Sequence, residues 1–274
     1  MNLKNKAFSN DNLSFWGHLD VLRNYLFKII ISIFLCSIVA FCFKDILFSI
    51  VLAPKNSDFI TYQFINNLVA KISPSTVIFA PFSAVLINTE LAQQFIVHMK
   101  VAFYAGLFCV SPYIIYMLFK FIAPALYSNE KKYSLRAIIA GYFMFIFGVL
   151  ICYFLIFPFA FRFLENYQVN EMVKNFISLD SYINTLIILC LLMGCLFELP
   201  VLCWLLANIG ILQAQIMQHY RKHAIVIILI VATVITPTAD IFTLLIVAIP
   251  IYLLYEVSIF IVKRTSRRKK TINF

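Results

Sequence analysis

The sequence is poor in charged residues and lacks the short motifs that mark common catalytic sites. Only 12% of its 274 residues are charged, and it has six glycines and two tryptophans. It contains no GxSxG, GxGxxG, P-loop or HExxH motif. Serine hydrolases with a nucleophile elbow, dinucleotide-binding enzymes, P-loop hydrolases and HExxH zinc proteases are therefore without support. An intramembrane enzyme is the weakest interpretation, because no nucleophile–base pair stands at plausible positions.

Disulfide and metal-ligand patterns are also missing. The chain has seven cysteines without CxxC or Cys/His ligand spacing, all in apolar runs: Cys36, Cys42, Cys109, Cys152, Cys190, Cys195 and Cys203. They are typical of small hydrophobic residues. His219 and His223 are four apart, but the cations Arg221 and Lys222 between them make a poor metal site. We predict no metal and no cofactor.

Long apolar runs dominate what is present. Apolar residues make up 63% of the chain, and about 20 in a row suffice for a helix to cross a bilayer core of about 30 Å. Helix is the predicted element, because unpaired backbone groups in lipid are too costly. We predict an all-α polytopic membrane protein with six transmembrane helices, at about 24–47, 98–120, 136–160, 179–207, 222–237 and 241–262.

Lysine and arginine residues are concentrated at the ends of these runs. The formal net charge is +10, yet this placement is typical of topology determinants and argues against a nucleic-acid partner. Of the 22 cations, the predicted spans put 16 on the side of the two termini and 6 opposite. The positive-inside rule therefore predicts that both termini are cytoplasmic.

The chain divides into three predicted parts. Residues 1–23 form a cytoplasmic amino-terminal segment with an interfacial helix, residues 24–262 a single transmembrane domain, and residues 263–274 a basic cytoplasmic tail. The cations of the tail suit contact with anionic membrane lipids, which also fixes orientation. Residues 48–97 are predicted to form an extracytoplasmic cap of short interfacial helices.

Two features predict a bent bundle. Pro112, Pro200 and Pro250 lie within spans, where proline removes a backbone donor and kinks a helix. The fifth span is short: 224–236 is 13 residues, or about 20 Å of helix. Either the bilayer thins around it or it is an ordinary short helix that packs against its neighbours.

The amino-terminal segment carries charged residues beside an apolar stripe. Asp20 and Arg23 lie off the stripe, which recurs at helical spacing in Phe15, Leu19, Leu22 and Leu26. The pattern is typical of a helix in the headgroup layer. Because Asp20 and Arg23 are three residues apart, the simplest expectation is that they pair with each other.

The loop after the second span contains an isolated acid. Pro124 is predicted to end the helix, and Glu130 follows in a loop that is otherwise rich in lysine. Glu130 has three possible roles: a neighbour of a helix cap, a partner for a lysine, or a recognition carboxylate for an incoming arginine. The third is chemically apt because an arginine fork matches a carboxylate in bidentate geometry.

Glu198 is the only charge in the run 183–206. An ionised carboxylate in hydrocarbon is costly, so it is expected to be protonated, paired or in a wet cavity. Pro200 removes the helical donor for the carbonyl of Leu196. Two interpretations stay open: Glu198 satisfies nearby backbone, or it serves a proton or a polar group on another helix.

Two further acids lie near the last span. Asp240, in the outer turn with Pro237, is expected to cap the last helix through its side chain. Glu256 lies inside the last span, about two turns from Lys263. Pairing within the bundle or reaching toward the cytoplasmic face is the expectation for Glu256.

Over roughly 15–262, these pieces resemble a known family, the multi-spanning receptor subunit of the twin-arginine protein translocase (TatC). The resemblance rests on His18-Leu19-Asp20 with Leu22-Arg23, on Phe121-Ile122-Ala123-Pro124-Ala125-Leu126-Tyr127 followed by Glu130-Lys131, on Phe147-Gly148 with Tyr153 and Pro158, on Phe197-Glu198-Leu199-Pro200, on Thr236-Pro237 with Asp240, and on Pro250 with Leu254-Tyr255-Glu256. Their order on a six-span profile makes the match specific.

The resemblance implies a glove-shaped bundle in the bacterial cytoplasmic (inner) membrane. It implies that twin-arginine signal peptides of folded precursor proteins bind at a cytoplasmic surface that includes Leu19, Asp20, Arg23, Phe121, Pro124, Glu130 and Lys131. It places Glu198 with Pro200 on a concave face that contacts single-span TatA/TatB-type subunits. It further implies self-association within the complex and transport driven by the protonmotive force.

One position departs from the family pattern. The family has a glutamate two residues before the arginine, where this chain has Val21, and the acid here is Asp20. A helix turns about 100° per residue, so Asp20 points elsewhere. Either Asp20 serves through a shifted backbone, or Glu130 carries more of the recognition.

The alternative function is a proton-coupled small-solute transporter with Glu198 as proton carrier, although no internal repeat supports it.

Overall fold

The computed structural model describes residues 15–72, 85–122, 131–167, 176–236 and 240–272, and most of them are helical. The helices are α1 (Phe15–Cys42), α2 (Lys44–Leu52), α3 (Ile60–Ile72), α4 (Gln93–Ile122), α5 (Lys131–Ile151), α6 (Phe157–Asn166), α7 (Leu179–Phe197), α8 (Leu199–Ile209), α9 (Ala214–His219), α10 (Arg221–Ile235) and α11 (Ile241–Ile272). Two short strands, β1 (Leu86–Ile87) and β2 (Ile177–Ser178), complete these elements.

Five helical stretches are long and apolar enough to cross a membrane. They are Leu19–Cys42, Gln93–Phe121, Ala137–Asn166, Leu179–Ile209 and Ile241–Arg267. The sixth apolar helix, α10, has only 15 residues, or about 22 Å of helix. Its residues coincide with the fifth predicted span, at 222–237. The structure confirms the predicted all-α polytopic fold.

Helix α1 differs from the prediction at both ends. It runs without interruption from Phe15 to Cys42, so residues 1–23 contain no separate interfacial helix within the described part of the chain. The reason is that neither glycine nor proline occurs between residues 18 and 42. The helix then stops at Phe43, before α2 begins, and not at residue 47 as the apolar run predicted.

Of the three bends predicted at prolines, the one at Pro200 has a structural counterpart. Pro112 and Pro250 lie inside continuous helices, α4 and α11, whereas the fourth span is broken at Glu198, between α7 and α8. Between α5 and α6, residues 152–156 form a π-helical turn just before Pro158. Such a turn accommodates a proline that cannot donate to the preceding carbonyl.

The last helix is longer than predicted. Helix α11 has 32 residues and continues through the basic segment that we assigned to a separate tail. Lysine and arginine are good helix formers, and cations are favourable at a helix C-terminus. Nothing in the sequence stops the helix at Val262.

The buried core surrounds α7. Its largest fully buried side chains include Ile183 and Met193 of α7, Phe157 of α6, and Val247 and Ile251 of α11. By contrast, only 11% of the most apolar window of α1 is buried. Helix α1 therefore packs at the edge of the bundle, along α4, and presents most of its surface to lipid.

The bundle has two ends, which we call the cap end and the terminal end. The cap end carries α2, α3 and a parallel β1–β2 pair that aligns Leu86 with Ile177. There, Lys100 of α4 also forms an ion pair with Asp180 of α7 at 2.6 Å. The terminal end carries the start of α1, the end of α4 and the end of α11. The prediction of short helices in the cap did not include the strand pair.

Tyr62 holds α3 in the cap. Its hydroxyl lies 3.2 Å from the carbonyl oxygen of Pro54 and 3.1 Å from that of Pro158. Burial raises the pKa of Tyr62 above its usual range, so it stays a neutral donor. The adjacent Thr61 hydroxyl donates to the Phe154 carbonyl. Together these bonds fix α3 against the junction of α5 and α6.

Candidate functional site

The start of α1 presents an accessible polar surface at the terminal end. Leu19, Asp20 and Arg23 are exposed. The Arg23 guanidinium lies 5.5 Å from the centre of the Phe27 ring, and among the described residues no ion pair joins it to Asp20. The expected Asp20–Arg23 pair is therefore wrong. An exposed pair of this kind contributes only a few tenths of a kcal/mol, less than an arginine–aromatic contact supplies.

The end of α4 lies against this part of α1. Lys120 Nζ is 6.0 Å from the centre of the Tyr25 ring on α1 and 5.7 Å from that of Tyr116 on its own helix. Half-buried Phe121 follows directly. The structure thus brings together the two predicted recognition segments, one at the start of α1 and one at the end of α4.

Three of the predicted site residues lie outside the described ranges, namely Pro124, Glu130 and Pro237. Lys131 is the first residue of α5. Helix α4 ends at Ile122 and α5 begins at Lys131. The two helix ends that flank residues 123–130 therefore both lie at the terminal end. The roles of Glu130, Pro124 and Lys131 remain predictions.

Glu198 occupies the break between α7 and α8. Its backbone N–H donates to the Cys195 carbonyl at 3.2 Å, and its carbonyl accepts from the N–H of Val201 and of Leu202. Buried Pro200 is in the first turn of α8, where its missing donor costs nothing. The backbone at this break is therefore hydrogen-bonded without the help of the Glu198 side chain.

The Glu198 carboxylate has no partner among the described residues. Both of its oxygens are buried and without a hydrogen bond. The carboxyl fits there because the facing residue on α5, Gly141, has no side chain: a Cβ at Gly141 would lie 2.9 Å from Oε2 of Glu198. The interpretation that Glu198 satisfies nearby backbone is thus wrong. A buried, unpaired carboxyl is free to bind a donor on another helix or to hold a proton.

The two acids near α11 have structural partners. Asp240 Oδ2 accepts from the Thr243 N–H at 2.7 Å, and Oδ1 accepts from the Thr243 hydroxyl, which confirms the predicted N-terminal cap of α11. Glu256 Oε2 lies 2.7 Å from Arg221 on α10, and its Oε1 accepts from the Tyr252 hydroxyl. Pairing within the bundle is confirmed for Glu256.

Sequence reasoning missed the close approaches that glycines make in the bundle, and two of these concern the candidate site. Gly106 of α4 faces Ser37 of α1, and a Cβ at Gly106 would lie 2.7 Å from the Ser37 backbone nitrogen. Gly141 of α5 faces the carboxyl end of the Glu198 side chain. Small residues at helix crossings in membranes are the signal that marks such contacts, and both glycines stand in apolar runs.

Comparisons with known proteins identify the family of this chain. A family model described as TatC, Sec-independent protein translocase protein, matches residues 17–250. The chain belongs to the TatC family. Among TatC relatives, that of Blattabacterium sp. is 34% identical, with 94% of this chain and 98% of the relative covered. That of Aquifex aeolicus is 32% identical, with 93% and 97% covered.

Solved TatC structures share the fold. A crystal structure described as the twin arginine translocase receptor TatC superposes with a TM-score of 0.72, at 30% identity, over 91% of this chain and 99% of that one. A second, in DDM, gives the same TM-score. This TatC-family chain is therefore a multi-pass membrane component of the Sec-independent translocase complex. The family model and these relatives are described as protein translocase components, so the small-solute transporter loses its support.

Proposed function

We propose that this chain is the receptor of its translocase, binding twin-arginine signal peptides of folded precursor proteins at the terminal end. The observation that carries the proposal is the contact of Lys120 with the Tyr25 ring. It joins the start of α1 to the end of α4, and hence to the segment that contains Glu130. A matched relative is described as the receptor of the twin arginine translocase, which supports the same role here.

The chemistry of the surface fits a cationic ligand. Asp20 is exposed, and Glu130 is the acid that the family pattern matches to signal-peptide recognition. A planar guanidinium binds a carboxylate through two parallel hydrogen bonds, which a lysine ammonium does not reproduce. The neighbouring exposed Leu19 and half-buried Phe121 offer apolar contact to the hydrophobic part of a leader.

The proposal places this surface in the cytoplasm. The predicted cytoplasmic side carries 16 of the 22 lysine and arginine residues, and both termini lie there by the positive-inside rule. Folded precursors are made in the cytoplasm, so a receptor must read their leaders on that side. We assign the chain to the bacterial inner membrane, with transport driven by the protonmotive force and with self-association in the complex.

Glu198 is proposed to receive a single-span TatA/TatB-type subunit. Beside Pro200 lies an apolar groove of about 350 Å³ between α5, α8 and α11, lined by residues that include Ala140, Met144, Trp204 and Val257. The carboxyl of Glu198 is buried next to this groove and does not line it, so a transmembrane helix seated there reaches the carboxyl with a polar side chain once the groove wall shifts. A hydrogen bond to that group in hydrocarbon fixes the depth of the docked helix.

Binding of a twin-arginine leader and its twin-lysine counterpart tests the receptor role. We expect the purified chain in detergent to bind the twin-arginine peptide at least about 10-fold more tightly, because lysine lacks the second parallel hydrogen bond. Fluorescence anisotropy of labelled peptides measures the ratio. Since both peptides carry the same charge, equal affinities would contradict specific recognition.

Replacing Glu198 with leucine should change stability and partner binding in opposite directions. Removing an unsatisfied buried carboxyl is expected to raise the free energy of unfolding of the isolated chain by about 1–3 kcal/mol. Losing its hydrogen bond to a docked helix should weaken co-purification of single-span subunits by about 10-fold or more. Thermal unfolding in detergent and quantitative pull-down measure the two effects.

Glu256→Leu is the matched control for this experiment. It removes a carboxylate that has a partner, Arg221 at 2.7 Å, so stability should fall rather than rise. If Glu198→Leu also destabilises the isolated chain, its carboxyl has a structural partner within the chain. The docking proposal then fails.

A further inference from the structure

A cavity with several polar side chains in its lining opens at the terminal end, away from Glu198. It has a volume of about 620 Å³ and lies between the connection from α8 to α9 and the last turns of α11. The side chains that line it and carry hydrogen-bond donors are Gln213, Gln215, Gln218, Lys263, Ser266 and Arg267. The proposed receptor function does not use this cavity.

The lining is chemically suited to an anion. Lys263 and Arg267 are four residues apart on α11, so they project from the same face one turn from each other. The other four are neutral amides and a hydroxyl, and no described acidic residue lines the cavity. Arginine provides a planar fork for phosphate oxygens, and lysine adds a point charge.

The walls of the cavity are held in place by packing. Helix α9 is fixed to α11 by the Tyr255 hydroxyl, which donates to the Met217 carbonyl at 2.8 Å. Met217 is buried with Ile259 and Val262 of α11. Gly210, with φ of +90°, ends α8 in the left-handed conformation that turns the chain toward α9. The space is thus built by the fold.

The depth of the cavity matches the lipid headgroups. From Ile241 to Val262, α11 has 22 mainly apolar residues, or about 33 Å of helix, close to the hydrocarbon thickness. Lys263 is therefore the first residue at headgroup level. The side chain of Ile211 beside the cavity is 67% exposed, and that of Phe260 on the preceding turn of α11 is 66% exposed. Such residues face acyl chains.

We infer that this cavity binds the phosphate headgroup of an anionic membrane lipid. Lys263 and Arg267 contact the phosphate, the glutamine amides and Ser266 hydrogen-bond to the headgroup, and the acyl chains lie along the exposed apolar side chains at the mouth. A cationic twin-arginine leader is repelled by the same charges. Lipid binding in this cavity does not depend on the proposed receptor role.

Lipid titration of the full-length chain in detergent tests the site. Native mass spectrometry compares dioleoylphosphatidylglycerol with zwitterionic dioleoylphosphatidylcholine. We expect the anionic phosphatidylglycerol to bind preferentially. The double variant Lys263→Gln with Arg267→Gln should weaken its affinity by about 30-fold, since each cation near the surface contributes about 1 kcal/mol. Both side chains are exposed, so the variant should unfold at the wild-type temperature in neutral detergent.

A second variant that removes the same charge distinguishes binding in the cavity from general attraction of the anionic lipid to a basic surface. Lys222→Gln with Arg264→Gln removes two exposed cations that do not line the cavity, and the lipid affinity should stay within about threefold of wild type. If both double variants lost lipid affinity equally, or if Lys263→Gln with Arg267→Gln lost none, the cavity would not be the lipid site. Inorganic phosphate or an acidic peptide that binds the cavity as tightly as the lipid would overturn the lipid assignment.

Discussion

Exchanging Glu130 for glutamine should weaken binding of a twin-arginine leader by at least about 30-fold and abolish export of its precursor. Glutamine keeps the size of the side chain but removes the charge that a bidentate arginine pair requires. Truncating one partner of a hydrogen-bonded charge pair costs about 2–5 kcal/mol. Peptide binding in detergent and precursor export in cells measure the two losses.

Glu90→Gln is the control for this loss, because Glu90 is an exposed acid at the cap end. It removes the same charge from the chain and should leave leader binding and export unchanged. Both variants should insert into the membrane normally. Full export by Glu130→Gln would remove Glu130 from recognition and leave Asp20 as the acid to test next.

Gly106→Leu should detach α1 from the bundle. A Cβ at this position would lie 2.7 Å from the Ser37 backbone nitrogen and 2.9 Å from its Cα. No rotamer change of Ser37 relieves a contact with its backbone, so the two helices must separate. Helix α1 packs chiefly on α4. We therefore expect a loss of about 3 kcal/mol, at the upper end of overpacking costs, measured by thermal unfolding in detergent.

Proteolysis of α1 provides a second measurement, because a detached helix is cut faster. Cys109→Leu introduces the same side chain on α4 at an exposed position, and it should be neutral. If Gly106→Leu unfolds at the wild-type temperature, the close approach of α1 and α4 does not hold the amino-terminal half of the recognition surface in place. The surface would then need another support.

The fold was predictable where a local pattern decides it. The apolar runs predict the spans because the bilayer rewards only long apolar helices. Asp240 was also predictable, because a cap forms within one turn of its own helix. The ends of α1 were not: the apolar run continues past Cys42, yet the backbone leaves the helical conformation at Phe43, with φ of −100° and ψ of 44°, before α2 begins.

Contacts between distant segments were beyond sequence reasoning. Glu256 was expected to pair, yet nothing local identifies Arg221, 35 residues earlier, as its partner. The unpartnered state of Glu198 depends on Gly141 across the helix crossing, and the β1–β2 pair depends on two loops that meet only in the folded chain. For Glu130 and Pro124, the family pattern alone carries the prediction.

The ties at the cap end determine where the bundle can open. The β1–β2 pair and the Lys100–Asp180 ion pair join the beginnings of α4 and α7, and the Tyr182 hydroxyl joins α7 to the Val51 carbonyl at 3.1 Å. Helices fastened at one end pivot about that end. Any separation of α4 from α7 and α8 is therefore largest at the terminal end, where we propose that the leader binds, and smallest at the cap end.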